Sequence, residues 1–176
     1  MRKSMSLVAG LALFIPGLAR AAEPPCLSPQ EFSSLAGYAL PSVIKGTSKR
    51  CAATLGPDAF LTANGSQLIQ RYAARKDASW PGAKAAFQKL SASSNDKANK
   101  VLTDMPDDSL KTVLDVILEG MVSQEIPIKD CSTIDGFVRL LSPLPAENMA
   151  ELIALTVGLA SKGEKPKLGK ISVCPT

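Results

Sequence analysis

Residues 107–122, DDSLKTVLDVILEGMV, decide the fold. Their apolar members Leu110, Val113, Leu114, Ile117, Leu118, Met121 and Val122 recur at three- and four-residue steps, the period of a helix with one face turned to a core. Asp107 and Asp108 stand in the first turn, where negative charge suits the helix dipole, and Ile126-Pro127-Ile128 closes the run.

Outward from this stretch the periodicity stays helical over nearly the whole chain from Cys26, with proline and glycine as punctuation. Upstream, Ser28 as cap, Pro29 in the first turn and Glu31 three residues after the cap form a capping-box pattern. The helix it opens carries Phe32, Leu35, Ala36, Ala39, Val43, Thr47 and Cys51 at helical steps, reaches about Thr54 and ends at Gly56-Pro57. A turn around Asp58 to Leu61 then leads through Asn64-Gly65 to a helix with Leu68, Ile69, Tyr72 and Ala73 on one face. Trp80-Pro81 separates that helix from a short one bearing Ala83, Ala86, Phe87 and Leu90, and the polar stretch from Ser91 to Lys100 reads as a loop between two helical halves. Downstream, Ser132 with Asp135 caps a helix that carries Ile134, Phe137, Val138 and Leu141 and ends at Pro143. Pro145 and Glu147 start another, with Met149, Leu152, Ile153, Thr156 and Leu159 inside and Gly163 at its end. The tail from Lys165 to Thr176 reads as extended, held by Cys174, and strand-like alternation is confined to residues 170–173. The expected fold class is all-α: a single compact bundle of five to seven short-to-medium helices with two disulfides and an extended C-terminal tail.

A chain of 176 residues, 45% hydrophobic and 20% charged, suffices for one core. It contains no histidine, which excludes histidine-dependent triads, HExxH zinc proteases and most zinc or copper sites. No cofactor and no metal site are implied, because the acids around Pro106 lack the spaced oxygen ligands and glycine of a calcium loop.

Residues 1–21 read as a secretory signal peptide: Arg2 and Lys3, an apolar run from Leu7 to Ile15, and Ala19-Arg20-Ala21 as a small-residue cleavage site near Ala21. Residues 22–176 are then one disulfide-stapled domain, periplasmic or secreted, with no run able to span a bilayer. Removing Arg2, Lys3 and Arg20 from 20 basic residues leaves 17 against 16 acidic, a formal charge of +1, which argues against nucleic acid as a partner.

Cys26, Cys51, Cys131 and Cys174 form an even set with no CxxC pair, and two disulfides are the economical reading. If one helix joins Cys26 to Cys51, the two lie roughly 35 Å apart at about 1.5 Å per residue. A disulfide needs Cα atoms within about 7 Å. Cys26 must then pair downstream, and the nested pattern, Cys26 with Cys174 and Cys51 with Cys131, is preferred because it ties the two chain ends together. A break at Pro41 or Gly46 would instead restore the sequential pairing.

Asp104, Asp107 and Asp108 are the densest acids, and read better as helix-start residues than as a catalytic pair. Arg71, Tyr72, Arg75 and Trp80 are the candidate partner-binding group, with two arginines four residues apart and the only tryptophan a turn beyond. The alternative is a solvated helix face with Trp80 filling the core. No spacing singles out a catalytic residue. The functional expectation is a non-enzymatic exported helical protein of inhibitor, immunity or adaptor type that binds a protein or cell-envelope component. Its alternatives are a carrier of a small apolar ligand or lipid and a histidine-independent hydrolase of envelope polysaccharide.

Overall fold

A computed structural model describes residues 26–92, 101–102, 104–162 and 173–174. The chain folds as an all-α bundle: α1 (Pro29–Cys51), α2 (Phe60–Ala73), α3 (Lys76–Ala92), α4 (Asp107–Glu125), a 3-10 turn (Ile128–Asp130), α5 (Cys131–Leu141) and α6 (Ala146–Lys162). The expected signal peptide, the polar loop after Ala92 and the tail before Val173 lie outside the described residues.

Helix α1 is the hub, touching α2, α3, α4 and α6. It starts where the capping box places it: Ser28 Oγ accepts from the Glu31 amide at 3.2 Å, and the Glu31 carboxylate accepts from the Ser28 amide at 2.7 Å. That amide and the Lys89 ammonium hold the Glu31 carboxyl below its usual range. The helix runs unbroken through Pro41 and Gly46. Proline removes one backbone bond but keeps a helical φ, and both residues are buried under neighbouring helices whose packing outweighs the loss. Small residues let those neighbours approach closely. A Cβ on Gly46 would lie 2.7 Å from the Glu119 carbonyl oxygen of α4, and one on Gly82 of α3 would lie 2.6 Å from Ser34 Cβ.

The unbroken helix separates Cys26 from Cys51, and the nested pairing is the one observed. Cys26–Cys174 and Cys51–Cys131 have Cα atoms 4.9 and 5.5 Å apart, and no cysteine is free. Beside the first, Leu27 and Val173 form a parallel bridge, and the Cys174 amide donates to the Leu27 carbonyl at 2.8 Å. Both side chains are buried with Phe32, Ala86, Ala154 and Val157. A second apolar cluster joins α1, α2 and α6 through Leu40, Ile44, Leu61, Leu68, Tyr72, Ala146 and Met149. A third joins α1, α3 and α4 through Tyr38, Trp80, Ala83 and Leu110.

Local reading and structure part at several places, among them Ile117 and Met121 of α4 and Phe137 of α5, which are exposed and not in the core. Asn64-Gly65 makes no turn but lies inside α2, where Gly65 faces Ser48 of α1. The α2–α3 break falls at Ala74-Arg75, and Trp80-Pro81 sits within α3, where the proline forgoes one backbone bond while Trp80 and Ala83 beside it are buried in the bundle. Asp135 does not cap its own helix; its carboxylate accepts from the Phe60 and Leu61 amides at 3.1 and 2.7 Å, capping α2, whose own N-cap Ala59 has no side-chain acceptor. Finally, Leu152, Thr156 and Leu159 of α6 face out, whereas Ala146, Met149, Ala150, Ala154 and Val157 form its buried side.

Candidate functional site

The structure splits the group Arg71, Tyr72, Arg75 and Trp80 between two clusters. Tyr72 is buried, its hydroxyl donating to the Leu144 carbonyl at 3.1 Å. Arg71 lies 5.6 Å over the Tyr72 ring and donates to the Ser142 carbonyl, while Arg75 pairs with Glu147. Glu147's own backbone amide and Arg75 hold that carboxyl below its usual range. The arginines thus meet the α5–α6 turn. Trp80 is buried in the α3–α4 cluster, its ring centroid 5.1 Å from that of Tyr38 and its indole N–H donating to Asp107 at 2.8 Å.

Of the acids around Pro106, only Asp107 has side-chain partners among the described residues. Asp107 takes bonds from Lys84 and Trp80, which together hold its carboxyl below the usual range, the wrong direction for a general acid near neutrality. Asp104 and Asp108 are exposed.

Nothing in the sequence spacing marked the densest polar constellation, a seam between α1 and α4. Every fourth residue of α1 contributes. The Tyr38 hydroxyl donates to the Lys111 carbonyl at 3.1 Å, and Ser42 Oγ to the Asp115 carboxylate at 3.1 Å. One turn on, Ser123 Oγ donates to the Gly46 carbonyl at 3.3 Å, and beyond it the Arg50 guanidinium to the Ile126 carbonyl at 2.9 Å. The two helices therefore run side by side in the same direction. Ion pairs flank the seam: Lys76 of α3 on Asp115, Lys45 and Lys49 on Glu119 at 2.8 and 3.5 Å, and Lys111 on Asp77 at 2.8 Å. Lys45 holds the Glu119 carboxyl low, and Lys111 does the same for Asp77. Burial, with Asp115 second, pushes the Tyr38 hydroxyl well above the usual tyrosine range, so it stays a neutral donor. Ser42 is 5% exposed, so this Ser-Lys-Asp grouping fastens three helices, α1, α3 and α4, and presents no nucleophile to solvent.

Between the exposed Asp108 and Glu125 near its two ends, the outward side of α4 carries no charge: Ser109, Thr112, Val116, Ile117, Met121 and Gln124 are exposed, with Val113 and Gly120 partly so. Val116 is 68% exposed. Two other helices also carry large apolar side chains outward: Phe137 and Leu140 on α5, and Leu152, Leu155 and Leu159 on α6, the last 70% exposed.

The helical glycines divide accordingly. Gly37, Gly46, Gly65 and Gly82 each lie under an atom of a neighbouring helix. Gly120, Gly136 and Gly158 have no described atom within 4 Å of where a Cβ would stand, and each sits beside exposed apolar residues. A mid-helix glycine destabilises by about 1 kcal/mol relative to alanine. Inside the bundle that loss is offset by close helix packing; at the three outer positions no described contact offsets it.

Comparison of the chain with protein-family models, with curated proteins and with solved structures gives no match.

Proposed function

We propose that the chain is an exported, non-enzymatic helical binding protein of inhibitor, immunity or adaptor type, which holds a protein or cell-envelope component on the outer faces of α5 and α6. One observation carries this reading: Phe137, Leu140, Leu155 and Leu159 are all more than 60% exposed. Large apolar side chains left this exposed on two helices are the surface feature an interaction site needs. Arg71 and Arg75 serve the same surface by bracing the α5–α6 turn that aims both helices.

Two disulfides support an oxidising compartment, periplasmic or extracellular, reached through the signal-like residues 1–21. None of the described helices is long and apolar enough to cross a membrane.

The test is affinity capture of the tagged chain from its native envelope, alongside a Leu155→Glu, Leu159→Glu variant of unchanged helicity. A component enriched by the parent and lost with the variant is the expected result. Equal recovery with both would remove α6 as the binding face.

A further inference from the structure

We propose that the Cys26–Cys174 disulfide is a redox-operated fastening: a dithiol reductant opens it ahead of Cys51–Cys131, releases the strap at Val173 and Cys174, and uncovers an apolar end of a bundle that stays folded. This inference does not rest on the reading of α5 and α6 given above.

The strap covers a built surface. Leu27 is 0% and Val173 8% exposed, and they share a cluster with Phe32 of α1, Ala86 of α3, and Ala154 and Val157 of α6. Three helices therefore converge under the paired residues, at the end of the bundle where α1 begins. Three described ties hold the strap: the disulfide, the Cys174 amide donating to the Leu27 carbonyl at 2.8 Å, and the burial of Val173. Val173 and Cys174 lie outside any helix. Once the covalent tie is cut, one backbone bond and one valine side chain do not offset the conformational freedom that the segment regains.

The floor beneath stands without that bond. Helix α1 starts through its own capping box at Ser28 and Glu31, and Lys89 of α3 reaches Glu31 at 2.9 Å. Cys51–Cys131 still ties α1 to α5.

The two bonds also differ in access. Cys26 and Cys174 are both partly exposed, whereas Cys51 and Cys131 are 0% and 1% exposed. Exchange requires an attacking thiolate to reach a sulfur, so access sets the order of opening. Position reinforces it, because Cys51 and Cys131 belong to helices that keep their sulfurs adjacent after reduction and favour reclosure. At the outer bond, one thiolate of the reductant attacks a sulfur of the pair, forms a mixed disulfide and expels the other sulfur as thiolate. The second thiol of the reductant then displaces the first cysteine. Two electrons and two protons pass from the dithiol, which becomes a disulfide, to Cys26 and Cys174, which become thiols.

Treating the oxidised full chain with dithiothreitol, quenching at intervals with an alkylating agent and mapping the labelled peptides reads the order directly. Cys26 and Cys174 should be labelled at least about 10-fold faster than Cys51 and Cys131. The intermediate should keep its helical circular dichroism, bind more anilinonaphthalene sulfonate than the oxidised chain, and return to the starting state with oxidised glutathione. A Cys26→Ser, Cys174→Ser variant should show the same dye binding with no reductant present. Labelling of both pairs together, or of the inner pair first, overturns the proposal. So does loss of helicity in the intermediate or in the double variant, or a double variant that binds no more dye than the parent.

Discussion

Where α6 lies on α1, the meeting is made by Ala146, Met149 and Ala150 against Leu40, Ile44 and Gly37. Where α4 lies on the same helix, much of it is made by Asp115, Glu119 and Ser123 against Ser42, Lys45, Lys49 and Gly46. One flank is held by removal of apolar surface from water; the other adds a ladder of directional bonds to the small cluster around Leu110. The physical properties differ in turn. Apolar packing is dense, indifferent to salt and tolerant of small shifts along the helix. A polar ladder fixes register, because each bond has one partner, but it is sensitive to ionic conditions.

The largest expected effect tests what anchors the apolar flank. Cys51–Cys131 ties α5 to the end of α1, and closing a loop of that separation contributes about 4 kcal/mol through the unfolded chain. Replacing both residues with alanine should lower the urea midpoint strongly, while Asp135 continues to cap α2 in whatever fraction remains folded.

A smaller pair of changes sets the flanks directly against each other. Leu40→Ala should destabilise by about 3 kcal/mol, equally at low and high salt. Asp115→Ala strands the Lys76 ammonium and the Ser42 hydroxyl, and should destabilise by about 2 kcal/mol, since Lys76 is largely buried but Asp115 is partly exposed. Denaturant titrations of both variants in about 0.05 M and about 1 M salt should show a deficit that shrinks with salt for Asp115→Ala alone. Equal salt response would erase the distinction.

The smallest effect is in pH. Glu31, Asp77, Asp107, Glu119 and Glu147 are all held below their ordinary values of 4.5 for glutamate and 3.8 for aspartate. Each favours the folded state fully above those values and loses that contribution as acid protonates it. Tyr38, Lys45 and Lys111 are raised above 10.0 and 10.5, so their contribution is present at neutral pH and lost on the alkaline side. With no histidine, no side chain of ordinary pKa titrates between them. Melting temperature should be flat from about pH 5 to about pH 9 and fall at both ends. Acid loss should be reduced in a Glu119→Gln variant, which acts on the α4 flank.

The fold class, the capping box at Ser28 and the exclusion of a Cys26–Cys51 bond were legible in the sequence, because each depends on spacing along one helix or on its rigid length; the nested pairing was the preferred choice among those left. The orientation of α4 was not. Its apolar residues occupy both faces, with Leu110, Leu114 and Leu118 toward the bundle and Val116 and Met121 away from it, so a count of helical steps merges the two. What turns the helix is remote: Ser42, Lys45 and Lys76 supply partners for Asp115 and Glu119 across more than thirty residues of chain. The cap on α2 is equally remote, coming from Asp135 with sequence separations of 75 and 74. Trp80 and Arg71 looked neighbourly because they share a short stretch, but the turn at Ala74-Arg75 sends them to different clusters.

The nested disulfides also govern what a protease can release. A single cut anywhere between Leu27 and Val173 leaves both pieces joined through Cys26–Cys174, and a cut inside the span from Cys51 to Cys131 is bridged twice. Nicked material should run on a non-reducing gel as one intact band and fall apart only when thiol is added, so the molecule can lose continuity of backbone without shedding a fragment.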